Sequence, residues 1–232
     1  MIVKKIILIV SLSLICISAL SAGDTASFVD LGFSQDGRTY MFGQFGVQEG
    51  TLKPWAELYI VDVGRNNFVP NGRISRTHNT PITAGQDGSG ILYQLMTENS
   101  SFASRHGVNY QNQGLPLYIS RDEAPPPHGE IIDFRDFVSG NTYKARLVSN
   151  VEGVAANTRS SFYINLECRT KDGQLKNYTV GTPQLRRPGI TTYNIKRVLI
   201  NTGGNSLIFV IEMKRIAQNG FDIRYMVEAV RL

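Results

Sequence analysis

Cysteine is nearly absent from this chain: it has two, and Cys16 lies inside an apolar N-terminal run. Past that run only Cys168 remains, which excludes an internal disulfide and a cysteine-based zinc site there. The histidines, His78, His106 and His128, stand far apart with no ligand spacing, so no metal centre is expected. Basic residues never form a run. Arg186–Arg187 and Lys196–Arg197 are pairs, whereas a nucleic-acid footprint is a basic stripe with interleaved aromatics, so no nucleic-acid partner is expected. Phosphate-cradling glycine loops are missing as well, and Gly203-Gly204 reads as a hairpin turn. The nearest approach to a hydrolase elbow, Gln86-Asp87-Gly88-Ser89-Gly90, lacks the first glycine and leads into a helix rather than out of a strand. It reads as a loop with Asp87 or Ser89 as N-cap. The acid pairs Asp133/Asp136 and Asp122/Glu123 read as solvated loop carboxylates. No catalytic residue and no cofactor is assigned.

What is present begins with an export signal. Lys4 and Lys5 precede an apolar stretch over 6–20, and Ser21 and Ala22 suit cleavage, so residues 1–22 are expected to leave. The run is too short and too abruptly ended for a membrane span. A retained N-terminal anchor is the first alternative. Lipidation at Cys16 is the second, although Ile15 stands where a small residue is normal. Removing the two lysines takes the formal charge from +5 to +3, and 23–232, about 210 residues, is expected to form a single β-rich domain.

Period-two alternation between turn signals dominates that remainder and predicts antiparallel β-structure. Strands are expected at 28–33, 38–45 and 55–63, with a fourth starting at Phe68. The first pair is joined by the tight turn Ser34-Gln35-Asp36-Gly37, and 46–54 is a Gly-rich loop. Over 88–106 the period changes. Ile91, Leu92, Leu95, Met96, Phe102 and Ala103 recur at helical spacing, Gly107 suits the C-terminal cap, and Asn99-Ser100-Ser101 weakens the middle. A strand at 115–120 and a stiff loop around Pro125-Pro126-Pro127 follow, and 121–130 is the weakest join. Further strands are expected at 142–150, 162–169, 175–180, 192–200, 206–216 and 221–230. In the strand at 162–169, Phe162, Ile164, Leu166 and Cys168 share one face, so Cys168 reads as a small core residue. The stretch 207–211 is apolar on both faces, which predicts a central strand covered by the helix or by a second sheet. The fold class is mainly β, antiparallel meanders in two β-rich halves with one central α-helix.

Phe33, Ser34, Asp36, Gly37, Phe42, Leu58, Tyr59, Val61 and Asp62 resemble a blade of TolB-type or WD40-like propellers, with Gln35 where that motif has proline. Regular copies at blade spacing are missing, so a closed propeller is the less favoured form. The longer phrase over 30–63, followed by the helix, resembles an uncharacterised bacterial family of secreted proteins carrying a domain of unknown function. That resemblance implies export to the periplasm or beyond, with no established activity and no catalytic residue to carry over.

One region stands out for binding. The loop before Trp55, the single tryptophan, is flanked by Tyr40, Phe45 and Tyr59, which form a candidate ligand or peptide surface. The bland alternative is that these aromatics are core and edge residues of the first sheet. The leading expectation is a non-enzymatic binding module of the cell envelope, with an unknown envelope protein or ligand as partner and no stable membrane span after signal cleavage. An envelope hydrolase whose groups converge only in three dimensions is the alternative, and a purely structural component is a third.

Overall fold

The computed structural model describes residues 23–120, 131–218 and 220–232. The signal segment, the proline loop and the join at 121–130 lie outside the described residues.

Thirteen described strands form three antiparallel sheets. The first sheet is a meander of β1 (Ser27–Phe33), β2 (Thr39–Val47), β3 (Pro54–Asp62) and β4 (Asn67–Thr77) in sequence order. The second contains β6 (Ile131–Arg135), β7 (Thr142–Glu152) and β8 (Arg159–Arg169). Two short strands share the outer edge of β8, namely β9 (Leu175–Val180) and β10 (Arg187–Pro188). The third sheet runs in the order β13 (Gly220–Arg231), β12 (Ser206–Ala217), β11 (Ile190–Ile200), β5 (Leu115–Ile119).

The third sheet is the middle layer. Along β12, Leu207, Phe209 and Ile211 pack onto the second sheet, and Ile208 and Val210 pack onto the first. Both faces are therefore dry, which is why this stretch carries no polar alternation. Two sheets cover it, where the sequence left open a helix or one sheet. The antiparallel β-structure is divided among three sheets, and the helical segment covers the far face of the first sheet. Leu92, Leu95 and Ala103 pack there on Leu31, Met41, Ala56, Leu58 and Ile60.

That helical segment is split where Asn99 predicts a weakness. Helix α1 (Ser89–Glu98) and helix α2 (Ser100–Arg105) meet at Asn99. The Asn99 side-chain amide donates to the Leu95 carbonyl at 2.8 Å, a local bond that competes with the helix ladder. Gly107 takes φ +70° just beyond α2, and its N–H donates to the Ser104 carbonyl at 2.9 Å.

The blade-like turn serves a different purpose from propeller closure. The described residues form no closed barrel or propeller. Asp36 accepts from the Ser34 hydroxyl at 2.7 Å and from the Arg38 N–H at 3.1 Å, which closes the hairpin. Gly37 then docks on the β11–β12 turn, where its carbonyl accepts from the Ser206 hydroxyl at 3.1 Å. A Cβ at Gly37 would stand 2.3 Å from the Asn201 side-chain nitrogen, so glycine alone allows this approach.

The outward edge of β13 is capped from the first sheet. The Ile223 N–H donates to the Asp24 carbonyl (2.8 Å), the Tyr225 N–H to the Gln44 side chain (2.8 Å), and the Ala229 N–H to the Asn66 side chain (2.6 Å). Two side-chain amides thus stand in for a missing strand and blunt an edge open to foreign pairing.

Candidate binding cleft

The residues singled out in sequence are placed on two faces of the first sheet. Tyr40 and Tyr59 join an aromatic stack on the inner face, with Phe42 between them at ring separations of 6.3 and 4.7 Å. Tyr40 is fully buried and Tyr59 nearly so. Burial pushes the phenol of Tyr59 well above its usual value, and the neighbouring Glu57 carboxylate pushes in the same direction. Phe45 points the other way and packs, partly buried, under the helices. Trp55 is buried at the end of the inner face, where its indole N–H donates to Asp24 Oδ2 at 2.8 Å. Arg224 donates to the same oxygen at 2.7 Å, and its guanidinium lies 4.1 Å from the indole centroid. Burial raises the pKa of Asp24, opposed by Arg224. The structure therefore ties Trp55 to Asp24 and Arg224 and does not bring these four aromatics onto one surface.

Pro54, where the loop before Trp55 enters β3, does border a cleft. Residues 48–53 form a compact loop, with the Leu52 N–H donating to the Gln48 carbonyl at 3.0 Å. The chain leaving β4 lies against it: the Ile82 N–H donates to the Leu52 carbonyl and the His78 N–H to the Pro54 carbonyl, both at 2.9 Å. Helix α1 starts beside them, because Gly88 rests on the Gly46 carbonyl. A Cβ at 88 would sit 2.5 Å from that oxygen, so the close approach requires glycine. Between Pro54, the stretch 78–86 that follows β4 and the first turn of α1 lies an open cleft of about 560 Å³.

Its wall mixes two chemistries. Pro54, Pro81, Ile82 and Ile91 are apolar, while His78, Thr80, Gln86, Asp87 and Ser89 are polar. His78 Nδ1 lies 3.2 Å from the Thr80 nitrogen and 3.4 Å from the Thr80 carbonyl oxygen, so the backbone of Thr80 orients the ring. The Asp87 carboxylate accepts the Ser89 hydroxyl at 2.5 Å and the Ser89 N–H at 2.9 Å. These two bonds hold its pKa below the usual carboxylate value, the hydroxyl contributing most. Gly88 occupies the N-cap position, and Asp87 satisfies the first helical N–H from one residue further out.

Sequence reading found Asp87 and Ser89 as a local motif but treated His78 as isolated. His78 reaches the cleft because β4 runs the full length of the sheet to Thr77 and delivers the next residue beside the start of α1. The extra strand length was hidden by Pro70-Asn71-Gly72, with Asn71 at φ 59°, which interrupts the alternation. Among the described residues, no group of three or more His, Cys, Asp or Glu side chains is arranged to hold a metal ion. Cys168 is buried in the second sheet, and that burial raises its thiol pKa. No described helix is long and apolar enough to cross a membrane.

No curated protein and no solved structure matches the chain. The family model described as "Predicted secreted protein (DUF2259)" matches residues 41–231, which takes in most of β2, the cleft and the central sheet. By that match the chain belongs to the secreted-protein family DUF2259, whose function is unknown.

Proposed function

We propose that this chain is an exported, periplasmic protein of the bacterial cell envelope that binds a partner in the cleft between the stretch after β4 and α1, without catalysis. In this reading residues 1–22 are removed and 23–232 work as one unit. The observation that carries it is the construction of the cleft: apolar and hydrogen-bonding groups converge on an open surface whose loops are fixed by the backbone bonds from Ile82 to Leu52 and from His78 to Pro54. Such a mixed, largely pre-formed concavity favours recognition, since little ordering entropy is lost on binding. The Ser89 hydroxyl donates to Asp87 and not to an imidazole, so it is held as a turn element rather than as an activated nucleophile.

A hydrolase reading has one observation in its favour, namely that His78, Asp87 and Ser89 line the same cleft. The two readings separate in one experiment. The exported protein, labelled for amide NMR, is titrated with solubilised envelope fraction and assayed in parallel for hydrolysis of a simple aryl ester. Binding without catalysis predicts shifts confined to 48–54 and 78–91, retained in Ser89→Ala. Ester turnover abolished by Ser89→Ala would establish the hydrolase instead, and shifts located elsewhere would remove the cleft from the account.

A further inference from the structure

The turn between β6 and β7 presents two apolar side chains straight to solvent. Phe137 and Val138 are 86% and 87% exposed, the highest values among the described large hydrophobic residues. Consecutive, nearly complete exposure is unusual for side chains that lose stability by contact with water. A floppy loop does not account for it, because the turn is closely bonded. The Asp136 N–H donates to the Asn141 carbonyl at 3.0 Å, and the Gly140 N–H donates to the Asp136 carbonyl at 2.8 Å. The Asp136 carboxylate, buried beneath the turn, accepts the Val138 N–H at 2.8 Å and the Ser139 hydroxyl at 2.5 Å. The carboxylate that holds the tip is thereby engaged on the buried side of the turn.

Behind the tip stands a collar of cations. Arg135 lies 5.6 Å from the Phe137 ring centroid. Arg135, Thr142 and Arg169 form one cross-strand row on the bare outer face of the second sheet. The neighbouring turn brings Lys171 alongside, its backbone N–H donating to the Asn141 side chain at 3.1 Å and its side chain packed against Gly140. Of the nearby acids, Asp136 faces inward, Glu167 is engaged by Arg169 at 3.8 Å, and Asp133 and Asp172 remain exposed. The cross-strand row nearest the tip, Arg135, Thr142 and Arg169, is therefore cationic, and the acids Asp133 and Glu167 stand one row further back on either side of Lys144.

We propose that this tip is a lipid contact: Phe137 and Val138 enter the interface of an anionic bilayer while Arg135, Arg169 and Lys171 meet its phosphates. An apolar tip contributes by burial in the acyl boundary, and each nearby cation adds a salt-screened attraction to acidic headgroups. The finger belongs to the second sheet and the cleft to the first, on opposite sides of the central sheet. Seating on a membrane thus leaves the cleft open to a partner.

The test is co-sedimentation of the exported protein with vesicles of phosphatidylcholine alone and with vesicles containing about one third phosphatidylglycerol. Binding is expected to the anionic vesicles at low salt, weakened at high salt, and absent with phosphatidylcholine alone. Phe137→Ser with Val138→Ser is expected to lower the partition coefficient roughly tenfold or more. Arg135→Gln with Lys171→Gln is expected to lower it less and to flatten the salt dependence. No sedimentation with either vesicle, equal sedimentation with both, or full retention in the serine double variant would each overturn the proposal. So would capture of the tip by a protein of the envelope in place of lipid.

Discussion

The central sheet is held by two seams of different character. Against the second sheet it presents Tyr193, Ile195, Leu207, Phe209 and Ile211, which interlock with Phe162, Ile164, Leu166 and Cys168. Against the first sheet the apolar cluster is smaller, and a polar layer continues it. There the Gln44 side-chain N–H donates to Glu57 at 2.7 Å, the Tyr59 hydroxyl donates to the same carboxylate at 2.6 Å, and Glu212 faces Tyr225 and Asn194. Burial, with the Glu212 charge beside it, pushes the Tyr225 phenol up to about 12. The first seam draws its strength from area. The second draws directionality from hydrogen bonds, each worth little net but costly to leave unmade. The candidate cleft lies beside the first sheet, on the directional side, where precise placement of loops matters more than bulk cohesion.

Breaking the apolar seam should have the largest effect. Phe209→Ala removes a fully buried ring and is expected to cost about 3–5 kcal/mol, read as a lower urea midpoint at constant m-value. A loss below about 1 kcal/mol would mean that this seam does not carry the fold.

Breaking the closure of the directional side should be smaller and more local. Arg224→Ala strips Asp24 of its ion pair and leaves a buried carboxylate, at a cost of about 3 kcal/mol or less, because Asp24 keeps its bond from the Trp55 indole. The distinguishing sign is spectroscopic. Trp55 emission should shift to the red as Asp24 and Arg224 leave the indole, whereas Phe209→Ala should leave the native emission unchanged.

Acid gives the smallest effect and the sharpest sign. Burial raises the pKa of Asp24, Asp30 and Glu228, so the folded state takes up protons at a higher pH than the unfolded chain. Stability contributed this way grows as pH falls from neutral through the raised values, and is complete below the ordinary carboxylate range near 4. Asp36 and Asp87, held low by hydroxyl and N–H donors, act oppositely and only at lower pH, and both are exposed and screened. The melting temperature is therefore expected to rise modestly as pH falls from neutral toward the ordinary carboxylate range. The rise should shrink in Glu228→Gln, because the amide cannot take up the proton that the buried Glu228 carboxylate takes up. An unchanged rise would assign the effect to the aspartates alone.

The same contrast explains what could be read in advance. Hairpins were legible because alternation and Asp-Gly or Gly-Gly turns are local signals. The helix break at Asn99 was legible for the same reason. The five residues of β6, which follow the proline-rich stretch, and the two-residue β10 were not: the latter is a strand only through its pairing with Arg159 and Ser160. Sheet stacking was half legible. The apolar stretch over 207–211 announced two covered faces without naming the covers. In the cleft, Asp87 and Ser89 are adjacent in sequence, whereas His78 arrives by strand length. The anchor behind the cleft joins Trp55 to Asp24 across 31 positions and Arg224 to Asp24 across 200, a separation that no periodicity encodes.

The account stands or falls on the cleft as the place where a partner is held. Photo-crosslinking in intact producing cells tests this most directly, with the probe placed at Gln86 in the cleft wall or at Thr179 on the bare outer face of the second sheet. The account predicts a discrete adduct from Gln86 that disappears when Ile82→Asp is introduced, and none from Thr179. Equal capture from both positions, or capture from Thr179 alone, would contradict it.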